Sequence, residues 1–148
     1  MSDPIEGGCR CGAIRYRLAL DALPNVYACH CLYCQTWSGS AFSVQCIVPQ
    51  DALTVKGTPL LYTRLSDDGR RTSYQYGCAT CLTRIYNTNT GRPGMAVIRA
   101  GTLDRSDALE IVAHIWTKRK LKGIDIPAGV PSWPEGAPPA EFMAALVR

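Results

Sequence analysis

The sequence predicts an all-β protein. Three observations carry that reading: short runs in which apolar and polar residues alternate, Pro and Gly residues that end those runs, and cysteines grouped in tight spacings between them. Few stretches carry a helical period.

Taken in order, residues 1–12 are rich in Gly and Cys and read as a loop or knuckle. Ile14, Tyr16 and Leu18 alternate with Arg15 and Arg17, the pattern of a half-buried strand, and Pro24 closes the segment. Val26 to Cys29 forms a short strand leading into the next cysteines. Residues 41–48 place Phe42, Val44, Cys46 and Val48 on one face, and Pro49 ends the run. Leu53 to Val55 and Leu60 to Thr63 are strands separated by a Gly57-Thr58-Pro59 turn. Asp67-Asp68-Gly69 reads as a hairpin turn into Thr72–Tyr76. Ala96–Ala100 and Ile111–Thr117 are two further strands. Five prolines and two glycines between Pro127 and Pro139 predict an extended tail, and residues 140–147 a short terminal helix.

No composition break divides the chain, so one domain is expected over residues 1–148, with a Pro-rich tail over 127–148. Hydrophobic residues make up 47% and charged residues 19%, a globular rather than disordered balance. The formal charge of +4 is too small and too dispersed to argue for nucleic acid. The N-terminus lacks the basic and apolar runs of a signal peptide, and no stretch reaches the ~18 apolar residues that span a membrane. A cytoplasmic location is therefore expected, where thiols stay reduced and eight cysteines point to metal rather than disulfides.

Seven of those cysteines fall into three groups. Cys9 and Cys11 form C-x-C, Cys29, Cys31 and Cys34 form C-x-C-x-x-C, and Cys78 and Cys81 form C-x-x-C. Zinc takes thiolates tetrahedrally, with four ligands in a closed structural site and three plus an open position in a catalytic one. Two pairs give four ligands and the triplet gives three, so the clusters divide without remainder into two zinc ions. The alternative joins the triplet to one further group and leaves a pair stranded; the bland one makes several of these buried free thiols. Seven thiolates and two zinc ions would bring the formal charge from +4 to +1. Cys46, in mid-strand, reads as a small buried hydrophobe.

These blocks resemble the glutathione-dependent formaldehyde-activating enzyme family. Gly8-Cys9-Arg10-Cys11-Gly12-Ala13-Ile14-Arg15-Tyr16 is similar to its opening motif, and Cys29-His30-Cys31-x-x-Cys34 with Ser38-Gly39-Ser40-Ala41-Phe42 to its second. Cys78-x-x-Cys81, Ala100-Gly101-Thr102-Leu103-Asp104 and His114-Ile115-Trp116 are similar to the rest, and the resemblance implies a single zinc-binding domain with its core at about residues 7–127. The resemblance implies several coiled antiparallel β-sheets around zinc knuckles, a fold shared with a small zinc-binding guanine-nucleotide release factor and with centromere protein V. It implies a structural zinc at Cys9, Cys11, Cys78 and Cys81 and a labile, catalytic zinc at Cys29, Cys31 and Cys34. Two positions depart from the family. Leu82 follows the last cysteine where Gly is usual, and Lys118-Arg119-Lys120-Leu121-Lys122 stands where a Pro-Trp pair is usual.

The chemistry expected follows from three thiolates and one dication. A thiol entering the open position loses its proton and can add to a carbonyl carbon, or zinc can polarise the carbonyl oxygen. Either route makes a thiol–aldehyde adduct, and its reverse is carbon–sulfur lysis. For the family the thiol is glutathione and the aldehyde formaldehyde, so a carbon–sulfur lyase acting on S-hydroxymethylglutathione is the leading expectation. The alternative is a non-catalytic zinc-binding interaction module. His30 is the nearest acid–base group, either shuttling a proton or fixing the knuckle by a hydrogen bond. His114 reads as a structural histidine on a strand face. Ser38 and Ser40 offer donors or only a turn. The basic run is either a solvated strand end or a clamp for the carboxylates of a glutathione-like thiol.

Overall fold

The computed structural model describes residues 3–147. The chain is mostly β, and it forms two compact units. One contains the chain up to Pro24 together with Cys46–Ala108, the other Asn25–Gln45 and the chain from Leu109 onward. Among the described residues no helix is long and apolar enough to cross a membrane.

The first unit holds a three-stranded antiparallel sheet of β1 (Ile5–Gly8), β2 (Arg15–Leu18) and, on the far side of β2, a strand at Leu53–Lys56. The alternation read in β2 is seen directly: Ile14, Tyr16 and Leu18 are buried and Arg17 is exposed. β1 is a strand where the sequence predicts a loop, because Gly7 and Gly8 lack side chains to alternate. Gly7 is required there, since a Cβ would lie 2.4 Å from the end of the Tyr16 ring and 2.5 Å from the Thr102 carbonyl. Tyr16 faces Gly7 in register and reaches past it to the Thr102 hydroxyl at 2.8 Å.

The second unit is built on β3 (Val26–Cys29), whose four residues are all buried. It pairs antiparallel with the start of β4 (Ser43–Pro49), matching Tyr27 to Gln45 and Cys29 to Ser43. Numbering the Leu53–Lys56 strand β5, the first unit continues with an antiparallel meander of β6 (Leu60–Leu65), β7 (Thr72–Gly77), β8 (Arg84–Asn89) and β9 (Met95–Arg99). Ile85, Ala96 and Ile98 are fully buried in it. Back in the second unit, β10 (Ile111–Ile115) pairs with β3 in parallel. Two short helices complete this unit, α1 (Leu32–Ser38) directly after β3 and α2 (Pro139–Leu146) near the end of the chain.

Strands β3, β4, β5, β6, β7, β9 and β10 and helix α2 fall where alternation and turn residues placed them, within a few residues. β8 escaped because its residues are mostly polar, although Ile85 and Asn87 are buried. The single apolar face expected over residues 41–48 is incomplete. Cys46 and Val48 are buried, but so are Ser43 and Gln45 of the opposite parity, while Val44 is half-buried. The Pro-rich segment is not merely extended: it lies along β10, where His114 N–H donates to Pro131 O and Trp133 N–H to His114 O.

Candidate metal centres

In the first unit the β1–β2 turn carries Cys9 and Cys11, and the β7–β8 turn carries Cys78 and Cys81. Their four sulfurs lie within 4.8 Å of one another. Cys9 and Cys11 are 3.6 Å apart, as are Cys11 and Cys78. Sulfurs on a tetrahedron with ~2.3 Å bonds would be ~3.8 Å apart, so the set fits a zinc-sized ion. Backbone N–H groups already point at the sulfurs: Ile14 N donates to Cys9 Sγ at 3.2 Å and Cys81 N to Cys78 Sγ at 3.5 Å. The Thr83 hydroxyl lies 3.1 Å from Cys81 Sγ and, with the Thr83 backbone N–H, pulls the Cys81 thiol down to about 5.

Each turn needs one left-handed residue. Gly12 supplies it in the first, at φ 81°, and Leu82 in the second, at φ 61°. Leu82 therefore stands in a conformation that suits glycine, with its side chain 78% exposed.

The second unit carries the triplet. Cys29 ends β3, Cys31 is the N-cap of α1, and Cys34 lies in the first turn, where its N–H donates to Cys31 Sγ at 3.4 Å. The three sulfurs also lie within 4.8 Å of one another. Cys29 and Cys34 are buried and Cys31 is half-buried. Hydrogen bonds from Cys29 and Cys34 pull the Cys31 thiol down to about 2, while the same neighbours and burial push Cys29 up. The thiols thus share protons, and a bound dication would release them all.

His30, between two of these cysteines, does not join their cluster. Its ring is fully buried, packs against Phe42 at 5.1 Å, and places Nε2 3.0 Å from His114 Nδ1. Its Nδ1 has no hydrogen-bond partner among the described residues. The adjacency of His30 and His114 is a long-range product of the parallel β3–β10 pairing and was not legible in either motif alone. Burial, and for His30 the second imidazole, hold both rings below the ordinary histidine range.

Ser38 takes the turn role, its hydroxyl donating to Phe42 O at 3.3 Å and accepting from Ser40 N at 3.2 Å beside the left-handed Gly39. In the basic run Lys118 pairs with Glu135 and Lys120 Nζ donates to Ile124 O at 2.5 Å. Arg119 and Lys122 are exposed. Gln35 of α1 ties this run to the cysteine motif, donating to His30 O at 2.7 Å and Arg119 O at 2.8 Å. Cys46 is fully buried, and burial pushes its thiol up to about 12, as a packed hydrophobe. Sequence reasoning missed Gln35, Gln45 and Thr83. All are ordinary polar residues whose roles come from what folding sets beside them.

The architecture is that of a small β protein with two cysteine clusters, each able to hold a metal ion and consistent with zinc. The chain belongs to the glutathione-dependent formaldehyde-activating enzyme family, whose model matches residues 4–119. Over 80 residues it is 32% identical to a Penicillium rubens protein named "Putative glutathione-dependent formaldehyde-activating enzyme", a stretch that is 53% of this chain and 40% of that relative. The chain thus spans less than half the length of that curated relative. The fold is shared with a Rhodobacter sphaeroides protein of known crystal structure, at TM-score 0.53 and 16% identity, over 86% of this chain and 99% of the other.

Proposed function

We propose that the chain is a zinc-dependent carbon–sulfur lyase acting on a thiol–aldehyde adduct such as S-hydroxymethylglutathione, in a reducing, cytoplasmic setting. Cys29, Cys31 and Cys34 would hold the catalytic, labile zinc, and Cys9, Cys11, Cys78 and Cys81 the structural one. The observation that carries this reading is the convergence of three, not four, sulfurs in the second unit, with Cys31 the least buried of them.

When bound there, zinc would supply a fourth position that takes the substrate sulfur as thiolate. The chain's own residues set the stage. Cys31 as N-cap of α1 and Cys34 in its first turn fix two of the sulfurs on one rigid element. Gln35 anchors the basic run beside the motif, where Arg119 and Lys122 can take the carboxylates of a glutathione-like thiol. In the lytic direction the adduct's C–S bond breaks, the electron pair stays on sulfur as the thiolate, and the hydroxyl proton passes to solvent water as the carbonyl forms. His30 contributes as the buried partner of His114, holding the knuckle through their shared hydrogen bond.

The test is two-dimensional exchange NMR of glutathione and formaldehyde with their adduct, using the zinc-loaded protein. Faster exchange, abolished in Cys31→Ser with the circular dichroism spectrum retained, is the expected result. Two bound zinc ions with no acceleration would move the reading to the non-catalytic module.

A further inference from the structure

Gln45 sits on β4 opposite Tyr27 of β3. It is a buried polar residue, 6% exposed, in a strand position that its apolar neighbours could have filled. Both ends of its amide are engaged. Nε2 donates to Cys34 Sγ at 3.2 Å, and Oε1 accepts from the Tyr27 hydroxyl at 2.8 Å.

The direction of this relay is set by chemistry. A metal-bound thiolate only accepts hydrogen bonds, so the amide must turn its NH2 toward Cys34, and the hydroxyl must donate to the remaining oxygen. Tyr27 is held in turn. It is 3% exposed, and its ring meets Phe142 of α2 edge to face, with centroids 4.8 Å apart and planes at 80°. Phe142 is buried, also contacts Trp133 edge-on, and rides on a helix whose end is tied to Asn25 by Asn25 Nδ2 donating to Leu146 O at 2.9 Å. Helix α2 lies beyond residue 119, where the family match ends.

We propose that Gln45 is a positioning residue for the three-cysteine centre, oriented by Tyr27 and, through Phe142, by the terminal helix. The inference rests on the reading that this triplet binds zinc. An N–H···S bond draws charge from the Cys34 sulfur and fixes its direction. The ion is then less fully neutralised by its own ligands and holds an incoming thiolate more firmly. The relay also makes the C-terminal segment part of the centre's outer shell, a role that the cysteine motifs do not contain.

The test uses cobalt(II) as a probe and zinc competition with a chromophoric chelator, on the full chain and on Gln45→Met and Tyr27→Phe. Gln45→Met keeps the length and removes the donor; Tyr27→Phe removes a single oxygen and decides the matter if the first variant folds poorly. Loss of the N–H···S bond raises the sulfur lone pairs in energy. The sulfur-to-cobalt charge-transfer band of the triplet should therefore move to longer wavelength. Zinc affinity at that site should fall about 10- to 100-fold in Gln45→Met, and less in Tyr27→Phe, with the four-cysteine site unchanged. Both variants binding two equivalents with the parent band and affinity would overturn the role of Gln45. A parent protein that binds cobalt only at the four-cysteine site would instead overturn the three-cysteine centre, and this role with it.

Discussion

Replacing Gly7 by Ala tests how tightly the first unit is built around its cysteine turn. The new Cβ would stand 2.4 Å from both Cζ and the hydroxyl oxygen of Tyr16, and 2.5 Å from the Thr102 carbonyl. Ordinary contact begins near 3.4 Å, so the ring end must withdraw by about 1 Å, and the carbonyl, being backbone, cannot simply swing aside. Withdrawal breaks the 2.8 Å bond between the Tyr16 and Thr102 hydroxyls in a site where Tyr16 is 3% exposed. Overpacking costs ~1–3 kcal/mol and an orphaned buried hydroxyl ~1–3 kcal/mol, against ~0.4–1 kcal/mol gained from a stiffer unfolded chain. The net is a loss of about 2–4 kcal/mol, or roughly 10 °C in Tm for a chain of this size. Thermal melts of the zinc-loaded protein by circular dichroism provide the assay. Tyr16→Phe alone should cost only ~1–1.5 kcal/mol, and the double variant less than the sum, because the bond is already gone. A Gly7→Ala protein melting within roughly 2 °C of the parent would refute the packing argument.

Three further outcomes are expected. Leu82→Gly should raise stability by about 0.5–1 kcal/mol, since it removes the left-handed strain at φ 61° and sacrifices little burial; a lower Tm would show that the leucine side chain matters more than its backbone. Chelator titration should remove one zinc with little change in circular dichroism and the second with loss of fold, because binding at a structural thiolate site is folding free energy; a single step releasing both would contradict the division. His30 and His114 should remain neutral in NMR titrations at pH 6.5, where a free imidazole is half protonated. Their folded values are depressed by burial, so their contribution to stability is complete above 6.5 and lost as pH falls from there through the folded values; rings titrating normally would show that the pair is solvated.

The grouping of the cysteines into a four and a three was legible because short spacings bring sulfurs together locally. Alternation at Ile14, Tyr16 and Leu18 likewise announced β2, as each side chain's burial depends on its own parity. What was not legible depends on distant partners. Gly7 and Gly8 hide β1 because their value lies in what crosses them. The seven residues of α1 are too few for a helical period, and its start is marked only by Cys31, a cap that also belongs to the cysteine triplet. Gln45 looks like a polar interruption of an apolar strand until Tyr27 and Cys34 are set beside it. His30 and His114, 84 positions apart, meet only because β10 returns parallel to β3.

The two clusters differ most in the span of chain they require, and that has a bearing on biosynthesis. Cys29, Cys31 and Cys34 leave the ribosome together. Cys11 must wait for Cys78, 67 residues later, which at ~5–20 residues per second is roughly 3–13 s. For most of that interval, from the emergence of Cys34 onward, the nascent chain carries all three thiols of the triplet and only half of the four-cysteine set. Under the assignment proposed above, the triplet is therefore the first complete set of thiols that a metal ion or an oxidant can meet.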